Sequence, residues 1–317
     1  MKFSLRQLEV FLATARHENV SRAARDLAMS QSAASGALKD LERQFDVRLF
    51  DRRGKRLQLS ELGAQLLPRA QNLLSQAREL EQVLSGEEVG GRLQVGATLT
   101  IGNYLAVLMI ADFRRRHPGA DVALSVANTE TIALRVAGLE LDMGLVEGEF
   151  NHPDLETRHW RADELQVFAA PGHPLAGGDG LTDSDLLGLP WIVREWGSGT
   201  RQAFDRAMRG ILTELNITME LPNTEAIKRA VEAGLGVGCL SRISLVEAFA
   251  RGSLVPLPVP GRDFRRQLNI ILHRDKFQSA TLSRWLDLCQ NRWSDRLPGH
   301  GGSHQGSRSA QKERHGD

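Results

Sequence analysis

The chain has 317 residues, 41% of them apolar and 25% charged, with a formal net charge of +1. That length admits two or three domains, and that composition belongs to a globular protein, not to a disordered or collagen-like one. The charge is uneven: residues 1–60 hold 12 Lys and Arg against 7 Asp and Glu, so this segment carries +5 and the remainder −4, which suits a polyanion held at one end.

Leu5, Leu8, Val10, Phe11, Leu12 and Ala15 recur at helical spacing and predict a first helix. Asn19-Val20-Ser21 interrupts it, with Ser21 as the expected N-cap of a second helix through Ala23, Ala24 and Leu27. Ser30 caps a third, backed by Ala33, Ala34, Ala37, Leu38 and Leu41. Beyond Phe45 the run Arg52-Arg53-Gly54-Lys55-Arg56 lies between short extended stretches, Leu49-Phe50 and Leu57–Leu59. This predicts a hairpin with a cationic tip.

A long helix follows from Ser60 to about Glu88. Leu62, Leu66, Leu67, Ala70, Leu73, Leu74, Ala77, Leu80, Val83 and Leu84 form its apolar stripe, and Pro68 is expected to kink it. An apolar face of that length needs a cover, either a copy of itself or a neighbouring element, and self-pairing is expected because a DNA-reading head needs a partner to read two half-sites. Gly90-Gly91 breaks the pattern.

From Arg92 strands and helices alternate. Strands are predicted at Leu93–Ala97, Asp121–Val126 and Leu141–Val146, with helices at Asn103–His117 and Glu130–Ala137. Further strands fall at Leu165–Ala170, Trp191–Val193, Gly236–Leu240 and Leu268–Leu272, with helices at Gly199–Leu212 and Glu225–Ala233. This alternation predicts a mostly parallel sheet covered by helices. Two α/β halves are expected, joined near Arg161–Asp163 and Arg265–Gln267, with a last helix at Ser279–Trp293 returning to the first half. After Pro298, Gly, Ser, His and charged residues dominate, and a disordered tail is expected over 298–317.

Residues 5–59 resemble the winged helix-turn-helix of LysR-type transcriptional regulators. The resemblance rests on Leu5-Arg-Gln-Leu-Glu-Val-Phe11, Ser21-Arg-Ala-Ala24, Ser30-Gln-Ser-Ala-Ala-Ser35, Leu41-Glu42, Leu49-Phe50, Arg52 and Arg56, in the family's order and spacing. It extends to about residue 295. It implies an α/β fold with an N-terminal winged helix-turn-helix (1–60), a linker and dimerisation helix (61–89), and a two-lobed effector domain similar to periplasmic binding proteins (90–297). Lobe I would take about 92–161 and 268–297, and lobe II about 162–267. Trp196 departs from the family, where a smaller residue is common. The resemblance further implies effector-controlled binding to double-stranded DNA, a homodimer or homotetramer, and RNA polymerase as a partner.

DNA is read by a helix in the major groove and steadied by phosphate contacts. Gln31 suits adenine, Ser32 and Ser35 are short donors or acceptors, and Lys39 reaches guanine or phosphate. These four share one face of the third helix. Arg52, Arg53, Lys55 and Arg56 are expected on phosphates or in the minor groove. In α/β lobes, ligands sit beyond the carboxyl ends of strands, beside helix N-termini. Thr98 and Thr100, Asn128 and Thr129, and Ser198, Gly199 and Thr200 occupy three such places. With Arg194 they favour a small carboxylate or oxyanion as effector, whereas Glu147, after the third strand, would repel one.

Other signals point away from catalysis. Gly234-Leu-Gly-Val-Gly238 precedes a strand and is not a dinucleotide fingerprint. Gly197-Ser-Gly199 lacks the flanks of a nucleophile elbow. His152, His159, His173 and His273 have no metal spacing. Cys239 and Cys289 are expected as buried, reduced thiols. No secretory run and no stretch of roughly 20 apolar residues appears, so a cytoplasmic protein without membrane contact is expected. The rival reading is a solute-binding protein or enzyme on the same two-lobed fold, with the N-terminal helices serving only dimerisation.

Overall fold

A computed structural model describes residues 2–53, 56–85 and 91–293. The chain starts with α1 (Leu5–His17), α2 (Val20–Asp26) and α3 (Gln31–Phe45). Ser4 and Gln7 form a reciprocal capping box on α1, and Glu18 ends it in the left-handed region. The cap of α2 is Asn19, whose side chain accepts from Arg22 N, not Ser21 as expected. The left-handed Glu18 turns the chain one step earlier, so Ser21 falls inside the helix. Ser30 caps α3 by accepting from Ala33 N at 3.1 Å.

The strands β1 (Phe50–Arg53) and β2 (Arg56–Leu59) pair antiparallel with Phe50 opposite Leu59. Leu57 N donates to Glu18 O, tying the hairpin to the end of α1. Leu8, Phe11, Ala34, Leu38, Leu41, Leu49 and Phe50 make one core with Ala70 and Leu74 of α4 (Glu61–Ser85). Ala33, expected behind α3, is exposed, because it sits on the solvent side of the first turn. Ser60 caps α4 through Gly63 N and donates to Arg48 O. Pro68 lies inside α4, so Ala64 O lacks its helical donor.

Lobe I contains β3 (Arg92–Ala97), α5 (Leu99–Ile101), a π-helical turn (Gly102–Ala106), α6 (Val107–Arg116), β4 (Asp121–Val126), α7 (Thr129–Ala137) and β5 (Met143–Glu147). The helix expected from Asn103 thus starts at Leu99 and carries a π turn. β6 (Leu155–Ala169) then crosses to lobe II. That lobe adds α8 (Asp183–Gly188), β7 (Trp191–Arg194), α9 (Gly199–Ala207), a 3₁₀ turn (Leu212–Glu214), β8 (Ile217–Leu221), α10 (Thr224–Glu232), β9 (Val237–Ser241), α11 (Arg242–Arg251) and β10 (Val255–Leu257). β11 (Arg265–His273) returns, and α12 (Ala280–Arg292) lies on lobe I. Helix α9 ends five residues before the expected Leu212, and α8, α11, β8 and β10 come in addition to the expected elements.

The strand order is β4-β3-β5-β11-β6-β9-β7-β8, with β10 on β6. Strands β3, β4 and β5 are parallel, as are β7, β8 and β9, while β6 and β11 are antiparallel to their neighbours. β6 changes partner in mid-strand: Glu164 lies opposite Arg265 of β11, and Leu165 opposite Ser241 of β9. A bulge at Leu268–Asn269 passes over Trp160, so Trp160 and Arg161 are both buried in succession. Each lobe has apolar layers on both sheet faces. Phe113 and Trp285 meet edge-on at 5.1 Å on one face of lobe I, and Ile132, Val136 and Ile271 fill the other. Trp191 with Phe204, and Phe168 with Ile227, do the same in lobe II. Lys55, Gly90 and the tail from Pro298 lie outside the described residues.

Candidate DNA-reading surface and inter-lobe site

On α3, Ala34, Leu38 and Leu41 turn into the head core, and the opposite face is left to solvent. Gln31, Ser32 and Lys39 are exposed, and Ser35 is half-buried beside them. Ser32 Oγ lies 3.0 Å from Ser30 Oγ, at the helix N-terminus. Arg52 and Arg53 lie on β1 and Arg56 on β2, with Arg53 opposite Arg56 at the hairpin end. Among residues not singled out from sequence, Arg22 and Arg25 are exposed on α2. The basic, weakly apolar face of that short helix is the signal that would have found them.

The three expected strand ends of the effector domain converge. Thr98 and Thr100 follow β3, Asn128 and Thr129 follow β4, and Ser198, Gly199 and Thr200 open α9 in lobe II. Asn128 caps α7 by accepting from Thr131 N, and Ser198 caps α9 by accepting from Thr200 N. The lobes touch here. Thr129 Oγ1 donates to Glu147 O at 2.8 Å and accepts from Gly199 N at 3.1 Å. Glu130 N donates to Gly197 O. A Cβ on Gly199 would stand 2.0 Å from the Glu147 carbonyl oxygen, so only glycine allows this approach.

Glu147 is the centre of the contact. Its carboxylate accepts from Thr100 N at 3.1 Å, from Thr200 Oγ1 at 2.8 Å and from Arg266 Nη1 at 2.9 Å. Arg266 also donates to Asp163 at 2.7 Å, and Asp163 accepts from Ser241 Oγ. Burial alone would raise the pKa of Glu147. The Arg266 guanidinium, with Thr100, Arg194 and Thr200, reverses that and holds it at about 2. The negative charge expected to repel an anion is therefore neutralised in place. Arg194 is buried, and its guanidinium forks onto Glu195 at 2.7 and 2.9 Å. Two buried donors in this region lack partners among the described residues: Thr98 Oγ1 and Arg266 Nη2. A cavity of about 470 Å³ opens between Asn103, Val126 and Asn128 of lobe I and Glu195, Pro222 and Asn223 of lobe II, while Arg266 lines a separate cavity of about 660 Å³ with Arg161, Asp163 and Asn269.

The comparisons with known proteins fit both halves. Residues 5–64 match the model for the bacterial regulatory helix-turn-helix protein, lysR family, and residues 86–294 match the LysR substrate binding domain. The chain is 43% identical over 289 residues to the Escherichia coli (strain K12) protein described as an uncharacterized HTH-type transcriptional regulator, YeiE, covering 91% of this chain and 98% of that one. It is 34% identical to the RuBisCO operon transcriptional regulator of Allochromatium vinosum, over 87% and 92% of the two chains.

The chain belongs to the LysR family. It is a DNA-binding transcription regulator with an effector-binding domain. Among solved structures, a full-length OxyR variant from Pseudomonas aeruginosa aligns at a TM-score of 0.68 with 22% identity, over 91% and 97% of the chains. The Synechocystis CcmR regulatory domain in complex with 2-PG aligns at 0.60 with 30% identity, over 63% of this chain and 96% of that one.

In this LysR-type regulator the charged residues Asp163 and Arg266 escape sequence reasoning as site residues. Their only signal is a position in the two crossing segments. A second inter-lobe bridge is equally silent in the sequence. Tyr104, on the π turn, donates to Glu225 and accepts from the buried Lys228 Nζ at 3.0 Å. Trp196, the family departure, stands exposed with its ring 4.7 Å from the Arg201 guanidinium. Burial pushes the Cys239 and Cys289 thiols well above the usual range, so neither is a reactive thiolate at neutral pH. Among the described residues no three His, Cys, Asp or Glu cluster as metal ligands, and no helix is long and apolar enough to cross a membrane.

Proposed function

We propose that this regulator reads bases with Gln31, Ser32, Ser35 and Lys39 in the major groove, holds phosphates with Arg52, Arg53, Lys55 and Arg56, and answers to a small carboxylate or inorganic oxyanion held where the lobes meet. The observation that carries the effector class is the pair of orphaned donors, Thr98 Oγ1 and Arg266 Nη2, beside an internal carboxylate. A buried donor without a partner costs about 1–3 kcal/mol, which an acceptor-rich ligand relieves. The Thr100 amide, the Thr200 hydroxyl and Arg266 already hold one carboxylate, that of Glu147. An anionic effector would compete with Glu147 for these donors and shift the lobes as it did so. CcmR in complex with 2-PG supports a small-molecule site in a domain of this kind.

Self-association is part of the reading. Leu62, Leu73, Leu80 and Leu84 of α4 are exposed, and at 3.6 residues per turn they fall on one stripe. A second copy of α4 would cover it, giving the paired heads that two half-sites require. Contact with RNA polymerase, and a cytoplasmic setting, follow from this role.

The effector class is tested by thermal shift and titration calorimetry on the full chain with phosphate, sulfate and glycolate, with sodium chloride at equal ionic strength as control. A binder present at about 100 times its Kd should add about 2.7 kcal/mol, and Arg266→Gln should abolish the shift. Stabilisation by neutral or cationic compounds alone would overturn the anion reading. Turnover of any ligand by the purified protein would favour the enzyme reading.

A further inference from the structure

We propose that the amino end of the lobe I sheet is a second, sequence-independent contact for the phosphate backbone of the bound duplex. This rests on the DNA-binding function and adds a surface outside the head. Five arginines from three elements converge there: Arg92 at the start of β3, Arg114, Arg115 and Arg116 at the end of α6, and Arg292 at the end of α12. All are 40–77% exposed.

Among the described residues, two carboxylates hold them together. Asp112 faces Arg115, Arg116 and Arg292 at 3.1, 3.2 and 3.5 Å. Asp121 faces Arg92 and Arg114 at 3.6 and 4.0 Å. Five guanidinium groups on two carboxylates leave an excess of three positive charges. The negative ends of α6 and α12 account for the cations in their own last turns, Arg292 among them, but not for Arg92 on β3 or for the gathering of all five at one place. Each of the five cations is arginine, whose planar fork fits phosphate oxygens in pairs.

Position selects the partner. The effector site occupies the carboxyl ends of β3, β4 and β5, and this patch occupies the opposite end of the same sheet. Arg92 also lines a cavity of about 600 Å³ with Arg16 of α1 and Arg78 of α4, which pair there with Asp26 and Glu9 at 3.5 and 3.9 Å. The patch thus adjoins the flank of the head, and DNA held by that head is the polyanion it is proposed to meet.

The test uses the full chain and DNA from upstream of its own gene, trimmed to the shortest duplex that retains binding. The same duplex is then extended by two helical turns, about 20 bp, on each side. Wild type should bind the long duplex more tightly and with a steeper salt dependence. Arg115→Gln/Arg116→Gln should lower that slope by about 0.9 for each phosphate that is no longer neutralised. Arg115→Glu/Arg116→Glu should lower affinity for the long duplex further. Short-duplex affinity should stay at wild-type values in both variants. Equal slopes of wild type on the two duplexes, or variants that match wild type on the long one, would overturn the proposal. So would loss of promoter activation with DNA slopes unchanged, which would give the patch to an acidic protein surface. Failure of wild type to bind any duplex would instead sink the DNA-binding function itself.

Discussion

Gly199→Ala separates the lobes by a predictable amount. The added Cβ would lie 2.0 Å from the Glu147 carbonyl oxygen, 2.4 Å from its carbon and 2.9 Å from its Cβ. Ordinary contact begins at 3.4 Å, so the gap must widen by about 1.4 Å. The obstacle is backbone at the end of a buried strand, which cannot swing away as a side-chain tip would. Gly199 is not in the left-handed region, so alanine meets no backbone penalty there. Retreat of α9 by that distance breaks the Gly199 N–Thr129 Oγ1 and Thr200 Oγ1–Glu147 bonds. A neutral bond contributes about 1 kcal/mol and one to a charged group about 1.5–3. Water entering the opened gap returns part of this, and alanine gains up to about 1 kcal/mol in helix propensity. The expected net loss is about 1–3 kcal/mol, or roughly 2–4 °C in Tm per kcal/mol for a domain of this size. Differential scanning calorimetry reads the loss, and hydrogen exchange should show faster exchange at the Gly199 and Thr200 amides. Gly261→Ala, whose Cβ meets nothing within 4 Å, is the control. Identical melts and unchanged exchange for Gly199→Ala would refute the inter-lobe contact.

Three other perturbations follow from the same structure. In the head, Gln31→Ala/Ser35→Ala should relax sequence preference in a binding-site selection, while Arg52→Ala/Arg56→Ala should weaken binding to every sequence and flatten its salt dependence; equal loss of preference in both would contradict the division of roles. On the linker, Leu80→Glu/Leu84→Glu places charge on the exposed stripe, so sedimentation should show dissociation by one level of assembly, and an unchanged mass would remove α4 from the interface. The pKa of Glu147 is held at about 2 against an ordinary 4.5, so its stabilisation is complete above about pH 4.5 and is lost as pH falls towards 2. Acid unfolding of Glu147→Gln should therefore be less steep than wild type across that window, and parallel curves would show the carboxylate to be unpaired.

What is legible in the sequence is mostly what local chemistry fixes. The spacing of Ala34, Leu38 and Leu41 gives α3 its buried face, and Ser30 its start, since both depend on residues within one turn. The choice between Asn19 and Ser21 as a cap is not local, because both side chains cap well and the left-handed Glu18 decides. α8 stays hidden although Thr182 and Asp185 form a capping box; the turn residues around it outweigh a six-residue helix. The first part of β6 is hidden because Glu156, Arg158 and Asp163 interrupt any apolar alternation. The strand exists there because β11 pairs with it along its length. Likewise, Thr100, Thr129 and Thr200 can be placed at strand ends from the pattern alone. That a glutamate is buried among them cannot, because the charge is tolerable only with Arg266, which is 119 residues away.

The linker helix determines which part of the effector domain can pass a signal to the head. Gln71 Nε2 donates to Leu139 O, and Asn72 donates to Asp275 O and accepts from Phe277 N at 2.8 Å. Gly91 N donates to Thr281 Oγ1. Leu139, Asp275, Phe277 and Thr281 all belong to lobe I, and Leu139 holds an unusual positive φ of 57° at this contact. Within one chain, then, the head, α4 and lobe I are joined by direct hydrogen bonds, while lobe II is attached through β6, β11, the contacts around Glu147 and the bridge from Tyr104 to Glu225 and Lys228. A ligand that rearranges those contacts moves lobe II against a body that already includes the DNA-reading helix. The displacement therefore appears on the lobe II surface.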